Sequence, residues 1–157
     1  MASVSTRRAG AWLVGLVLQL GLSMAPQDAL AQMPSPSKKV DKAESLMVQA
    51  IVQRQLDAFA RDDAAAAFAL ASSAIRMQFR TAENFLNVVK ARYQPVYRHR
   101  VAFFTGTQRI DGLIVQSVRL TDADDRVWVA LYRLKQEGDG QWRILGCELV
   151  ETKSVSA

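Results

Sequence analysis

Residues 113–150 read LIVQSVRLTDADDRVWVALYRLKQEGDGQWRILGCELV, and this stretch decides the fold. Runs of β-branched, aromatic and other apolar residues alternate here with segments rich in Asp and Gly, a pattern typical of strands joined by turns. With one run upstream, four strands are predicted, at Val96–Thr105, Leu113–Leu120, Arg126–Leu134 and Gln141–Val150. Because the joins are too short for crossover connections, the sequence predicts an antiparallel meander.

Amphipathic helices precede these strands. Asp41 and Glu44 form a D-x-x-E start, and apolar residues at three- and four-residue spacing then predict a helix that ends near Ala60. Two further helices are predicted, at Ala64–Ala71 after the capping pair Asp62-Asp63, and from Thr81 with Phe85, Leu86, Val89 and Tyr93 on one face. Pro95 disfavours continuation of the last helix beyond Gln94. Helices followed by one sheet predict an α+β fold.

The first 31 residues predict an export signal. Met1–Arg8 carries two arginines and no acid, Ala9–Ala25 is apolar, and Ala29-Leu30-Ala31 fits a cleavage site. We therefore expect cleavage after Ala31 and a periplasmic or secreted protein. The alternative is an uncleaved signal that anchors the protein in the membrane, because residues 9–27 carry no charge.

The rest of the chain has the length and composition of one domain. We predict a flexible leader at 32–40, a single domain at 41–151 and a tail at 152–157. Removal of the signal leaves 18 basic and 14 acidic residues, a small and scattered excess, so nucleic acid is not an expected partner. Cys147 has no second cysteine with which to form a bridge within the chain, and we interpret it as a buried apolar residue.

Both alternating sets of residues are apolar in the last two predicted strands. In the first of them, Val127, Val129 and Leu131 are expected opposite Trp128, Ala130 and Tyr132. In the second, Trp142 and Ile144 are expected opposite Leu145, Cys147 and Leu149. Helices cover one side of such a sheet. The other side is therefore predicted to meet a second copy of the chain in a homodimer, or to curl over a pocket for a small molecule.

Several stretches carry a family resemblance that covers about Ala50–Val150. They are Gln55–Phe59, Ser73–Arg76, Tyr93–Arg98, Val127–Tyr132 and Gly140–Cys147. In this order they resemble the bacterial domain-of-unknown-function 4864 family. That family is similar to the nuclear-transport-factor-2-like superfamily, whose cystatin-like cone is a curved antiparallel sheet around helices, often dimeric through the sheet. The resemblance implies N-terminal helices packed on a curved four-stranded sheet, and it implies no activity, because the superfamily includes both enzymes and binding domains.

Candidate ligand-binding residues gather near the end of the third predicted helix. They are Tyr93, Tyr97, His99, Arg98 and Arg100, with Glu148 from the last strand. Arginine forks and tyrosine hydroxyls suit a carboxylate or phosphate. In the predicted strand, however, Tyr97 and His99 share one side while Arg98 and Arg100 share the other, so they would not form one cluster.

Glu148 is an acid inside an apolar strand, where a buried carboxylate would need a partner. Arg119 or Arg133 on a neighbouring strand would supply one, and an exposed edge position would remove the need. A further hypothesis is that Glu148 and Tyr97 line one pocket.

No catalytic residue is predicted. His99 is the sole histidine, and most acids lie in predicted turns away from it, so no general acid–base pair is expected. Metal-ligand spacing, a phosphate-binding loop and a nucleophile motif are all missing from the sequence, so neither a metal nor a cofactor is expected.

The leading interpretation is an exported, non-catalytic domain that binds a small apolar or anionic ligand or a protein partner. The alternatives are a cone-fold enzyme of the isomerase or dehydratase type, and a membrane-anchored assembly subunit of an envelope complex.

Overall fold

The computed structural model describes residues 39–152, and the fold is α+β as predicted. The helices are α1 Lys42–Ala60, α2 Ala64–Ala69, α3 Ser73–Phe79, α4 Ala82–Arg92 and α5 Gln94–Tyr97. The strands are β1 Val101–Ile110, β2 Leu113–Thr121, β3 Val127–Gln136 and β4 Trp142–Glu151. They form one antiparallel sheet in the order β1-β2-β3-β4, which confirms the meander. The predicted signal, and most of the predicted leader and tail, lie outside the described residues.

The helices pack on one face of the sheet, and α1 supplies the centre of the core. Val48, Val52, Leu56 and Phe59 recur at the predicted spacing and are at most 2% exposed. The facing sheet residues are Ile114, Val118, Leu120, Ala130, Tyr132, Leu134 and Ile144. Burial of one such side chain stabilises the fold by about 1.5–3 kcal/mol, so this interface makes a large contribution to stability.

Asp41 begins α1 as predicted. Its carboxylate accepts a hydrogen bond from the backbone N–H of Glu44 at 2.8 Å, which satisfies one free donor of the first turn. The Glu44 carboxylate instead pairs with Arg109 of β1 at 2.5 Å. The D-x-x-E start therefore both caps the helix and ties it to the sheet.

The segment after α2 differs from the prediction of one helix over Ala64–Ala71. Helix α2 ends at Ala69 because Leu70 and Ser72, on either side of Ala71, hydrogen-bond to the edge strand β4. The Ser72 N–H donates to the Ile144 carbonyl at 2.8 Å, and the Ile144 N–H donates to the Leu70 carbonyl at 2.9 Å. The Ser72 side chain then caps α3. This pairing covers part of an otherwise open sheet edge.

The first strand begins later than the predicted Val96–Thr105. Pro95 lies in the first turn of α5, where the fixed φ of proline suits a helix start. Val96 and Tyr97 are consequently helical, and β1 starts only at Val101. The strand then continues past Thr105 to the hairpin turn at Asp111-Gly112, where φ is 49° and 77°. Positive φ at both positions is the backbone that Asp-Gly favours in two-residue hairpins.

A β-bulge changes which face the end of β4 presents. The pairing with β3 skips Leu145, so the alternation of side chains is interrupted there. Cys147 therefore lies opposite Tyr132, on the same helix-facing side as Ile144. The expectation that Cys147 and Leu149 oppose Ile144 assumed an unbroken strand and is wrong.

The face of the sheet opposite the helices is also apolar, as predicted for β3. One row across the strands consists of Phe103, Arg119, Val129 and Val150. Phe103 is 64% exposed and Val150 is 44% exposed. We call this surface the outer face.

Candidate functional site

A cavity of about 260 Å³ lies between the helices and the β3–β4 end of the sheet. Its apolar lining includes Phe59, Phe79, Phe85, Val89 and Ile144. Phe85 is central to this wall, because its ring centroid lies 6.0 Å from that of Phe59 and 5.6 Å from that of Phe79. Typical ligand pockets measure roughly 300–1,000 Å³, so the cavity suits a small molecule.

Polar groups from three elements also line this cavity: Tyr132 of β3, Cys147 of β4 and Gln55 of α1. Tyr132 is fully buried, and its hydroxyl has no hydrogen-bond partner among residues 39–152. The Cys147 thiol lies beside it without forming a hydrogen bond of normal geometry. The Gln55 amide donates to the Ala67 carbonyl at 3.2 Å, and its side-chain oxygen makes no hydrogen bond within residues 39–152. The cavity therefore has unused hydrogen-bonding capacity.

Burial keeps two ionisable groups of the cavity, Tyr132 and Cys147, neutral. It raises the pKa of the Tyr132 hydroxyl well above its ordinary value, and the neighbouring Cys147 adds to the shift. Burial also raises the pKa of the Cys147 thiol to about 12, against weaker lowering effects of Tyr132 and Arg133. A nucleophilic cysteine needs the thiolate, so the environment of Cys147 suits packing and hydrogen bonding rather than covalent chemistry.

Tyr97 and Arg98 belong to a different arrangement, the Asp62 cluster, formed by Asp62, Lys90, Tyr97 and Arg98. The Tyr97 hydroxyl donates to the Asp62 carboxylate, and Arg98 Nη2 and Lys90 Nζ lie 2.6 Å and 3.0 Å from carboxylate oxygens. The Arg98 guanidinium stacks 3.7 Å from the centre of the Tyr97 ring and donates to the Phe59 carbonyl at 2.6 Å. Hydrogen bonds from Tyr97 and Lys90 lower the pKa of Asp62 to about 2. The cluster fastens α5 to the end of α1.

The Asp62 cluster corrects the prediction that Tyr97 and Arg98 lie on opposite sides of a strand. Both residues precede β1, so strand alternation does not apply to them. Tyr93, which follows α4, is not part of the cluster and lines the cavity instead. The structure thus brings Tyr97 and Arg98 together and separates them from Tyr93.

His99 and Arg100 lie between α5 and β1 and do not share a site. The His99 Nδ1 atom is 3.3 Å from the Val96 carbonyl oxygen, and this is the sole hydrogen-bond contact of the imidazole within residues 39–152. Arg100 is exposed and pairs with Asp125. The histidine therefore has no carboxylate with which to act as an acid–base pair in the described chain.

Glu148 is exposed on the outer face, opposite Leu131 of β3. It forms no ion pair with Arg119 or Arg133, so its exposure, rather than a partner, accounts for its place in an apolar strand. Tyr97 packs against the core on the helix side of the sheet. The hypothesis that Glu148 and Tyr97 line one pocket is therefore wrong. Ligand binding by the predicted residues stays a prediction, and among them it is Tyr93 that lines the cavity.

Residues 41–157 match the family described as a domain of unknown function (DUF4864). The chain belongs to this family. Among curated proteins and solved structures, none matches the chain. The likeness of this DUF4864 domain to the nuclear-transport-factor-2-like superfamily stays a prediction.

Sequence reasoning missed the polar groups at the cavity of this DUF4864 domain. Gln55 could have been identified from the sequence, because it interrupts the buried apolar stripe of α1 at a position where an apolar residue is expected. Tyr132 could not, since a tyrosine in an apolar strand usually packs in the core with its hydroxyl bonded. Of the predicted capping pair Asp62-Asp63, Asp63 caps α2 by accepting from the Ala66 N–H at 2.9 Å, while Asp62 belongs to the Asp62 cluster.

Within residues 39–152, His, Cys, Asp and Glu side chains form no group of three or more that would hold a metal ion. In the same range, no helix combines the length and the apolar character needed to cross a membrane.

Proposed function

We propose that this DUF4864 domain binds a small, largely apolar molecule in the cavity between its helices and its sheet. The observation that carries the proposal is the Tyr132 hydroxyl, which is fully buried at the cavity wall without a partner. A buried polar group without a hydrogen bond costs about 1–3 kcal/mol. A ligand oxygen or nitrogen that bonds to this hydroxyl would remove the cost, while the phenylalanine walls would bury the apolar remainder.

The chemistry of the cavity favours binding over the isomerase or dehydratase alternative. Such reactions need a base that is ionised or easily ionised near neutral pH. Burial keeps Tyr132 and Cys147 protonated, and His99 does not line the cavity. A neutral hydroxyl and a neutral thiol would orient a ligand without removing a proton from it.

The test compares two tryptophan variants of α3 in the protein expressed from its full-length sequence. Ile75 lines the cavity, so Ile75→Trp is expected to fill it, whereas Met77 is 74% exposed, so Met77→Trp serves as the matched control. Benzyl alcohol and benzamide are suitable probes, because each has one ring and one hydrogen-bonding group. We expect the probes to raise the Tm of the unaltered protein and of Met77→Trp by several degrees, through binding to the folded state.

The same probes should leave the Tm of Ile75→Trp unchanged. An equal shift in both tryptophan variants would overturn the proposal. So would the absence of any shift in the unaltered protein together with the absence of a copurifying ligand in native mass spectrometry.

We also propose that the outer face joins two copies of the chain. Its exposed apolar side chains, Phe103 and Val150 among them, are typical of interaction surfaces. Arg119 and Glu148 place both signs of charge on the same face, which suits self-pairing about a two-fold axis. Light scattering should report a dimer that Phe103→Glu converts to a monomer and that Met77→Glu leaves intact. A monomeric unaltered protein would contradict this proposal.

We propose, finally, that the protein is exported and that residues 1–31 are removed. The support is the sequence of that segment, with its basic start, apolar run and Ala-x-Ala site. Amino-terminal sequencing of the exported protein should give Gln32. Recovery of intact Met1 from the membrane fraction would favour the anchored assembly subunit instead.

A further inference from the structure

We propose that this domain has a second ligand site, an arginine groove that binds a phosphate monoester. The groove has a volume of about 410 Å³ and is lined by Arg54, Arg61 and Arg143 together with Asp57 and Gln141. It shares no lining residue with the cavity of the proposed function. The two proposals can therefore fail separately.

The arginines reach the groove from two elements that the fold holds in place. Arg54 lies on α1 and Arg61 follows its last turn, seven positions later, so both face the same side of the helix axis. Arg143 comes from the start of β4, next to Ile144, which is fixed by its hydrogen bonds to the segment after α2. Small and apolar residues of α2 and of the segment after it, Ala66, Ala69 and Leu70, form the rest of the wall.

The charges in the groove are not balanced. Arg54 and Arg61 form no ion pair within residues 39–152, whereas Arg98, Arg109 and Arg126 each hold a carboxylate. Asp57, the acid that lines the groove, accepts a hydrogen bond from Gln53 at 2.8 Å. Arg143 pairs with Asp139 at 3.3 Å, so three guanidinium groups against two carboxylates leave one positive charge, which favours a phosphate monoester with its charge of about −1.5 to −2 at pH 7.

Arg143 supplies an independent indication of a missing acceptor. Its Nε atom is buried and has no hydrogen-bond partner in the part of the chain that the structure describes. Its other contacts are long, with Nη2 3.3 Å from Asp139 and Nη1 3.4 Å from the Trp142 carbonyl. A guanidinium normally uses its planar fork to hold a carboxylate or phosphate by parallel N–H···O bonds. Arg143 lines the groove, so a change of its side-chain rotamer would bring this unused donor to a phosphate oxygen bound there.

The test is a titration with inorganic phosphate and with glycerol phosphate, at constant ionic strength, followed by backbone amide shifts in NMR. We expect the shifts to concentrate at the end of α1 and the start of β4. In Arg54→Gln/Arg61→Gln the affinity should fall about tenfold or more, because each lost charge-assisted contact is among the stronger hydrogen bonds. Arg80→Gln/Arg92→Gln removes the same charge from two exposed arginines outside the groove and should leave the affinity unchanged.

Arg143→Lys separates geometry from charge, since lysine keeps the positive charge and lacks the planar fork. We expect a loss of about threefold or more in affinity. Sedimentation with vesicles of phosphatidic acid in phosphatidylcholine distinguishes a lipid headgroup from a soluble monoester, because both present the same phosphate. The inference is overturned if neither phosphate source binds, or if the control variant loses as much affinity as Arg54→Gln/Arg61→Gln.

Discussion

Two polar regions of this domain differ in how completely their atoms are bonded. Around Asp122, which is 6% exposed, one carboxylate accepts from Trp128 Nε1 at 2.9 Å, from Arg126 Nε at 3.0 Å and from the backbone N–H groups of Asp124 and Arg126. At the cavity, Tyr132 and Gln55 retain unused hydrogen-bonding atoms. A fully bonded region such as that around Asp122 stabilises the fold, whereas the unused atoms at the cavity can bind a ligand.

The same difference in bonding explains why Tyr97 and Arg98, two of the predicted ligand-binding residues, are not part of the proposed sites. Tyr97 and Arg98 have the chemistry that recognises an anion, but Asp62 already occupies them. A side chain suited to binding becomes available only when no carboxylate of the chain itself satisfies it. Arg54 and Arg61, which form no ion pair within residues 39–152, meet that condition, and Arg98 does not.

Removal of the Asp122 carboxylate should have the largest effect. Asp122→Ala leaves the Trp128 indole N–H and two turn N–H groups without their acceptor, so we expect Tm to fall by about 10 °C. Asp124→Ala is the control, because Asp124 is exposed and its carboxylate makes one contact, with Arg126 at 3.1 Å. Thermal unfolding followed by circular dichroism measures both. Equal Tm values for the two variants would show that the Asp122 bonds do not stabilise the fold.

Removal of the Asp62 charge should lower the stability of the fold by the second largest amount, and this effect should depend on pH. The folded-state pKa of Asp62 is lowered from 3.8 to about 2, so the stabilisation is complete above roughly pH 4 and is lost as the pH falls through about 2. Asp62→Asn should therefore lower Tm at pH 7, and the difference from the unaltered protein should shrink to nothing near pH 2.

The control for this titration is Asp111→Asn. Asp62 and Asp111 both adopt positive φ, of 56° and 49°, which asparagine tolerates well, so backbone effects cancel between the variants. A difference that persists unchanged down to pH 2 would mean that the Asp62 charge is not what stabilises the folded state.

The sequence predicted the regular parts of the fold because they depend on local patterns. Apolar periodicity placed α1, and the Asp-Gly pair placed the turn between β1 and β2. Three irregular places differ from the prediction for physical reasons that periodicity does not contain. The bulge at Leu145 and the pairing of Leu70 and Ser72 with β4 are both choices of sheet pairing. Pro95 starts a helical turn because its fixed φ suits that position.

The candidate site was less predictable than the fold. Tyr132 could be assigned to a strand, but whether its hydroxyl finds a partner depends on neighbours from other elements. The same holds for Arg143, since an arginine near the start of a strand is ordinarily solvated. Whether a buried polar atom lacks a hydrogen-bond partner depends on tertiary packing, so a sequence pattern does not predict it.

Tyr132→Phe should have the smallest effect on stability. This effect tests directly whether the Tyr132 hydroxyl lacks a hydrogen-bond partner. A buried tyrosine whose hydroxyl is bonded loses about 1 kcal/mol on this change, whereas a hydroxyl without a partner is removed at no loss. We therefore expect the free energy of unfolding in urea to stay equal or to rise by up to about 1 kcal/mol. Tyr97→Phe is the opposite case, because its hydroxyl bonds to Asp62, and it should destabilise the protein. If Tyr132→Phe also destabilises the protein, the Tyr132 hydroxyl has a partner in solution, and the cavity loses the feature that marks it as a binding site.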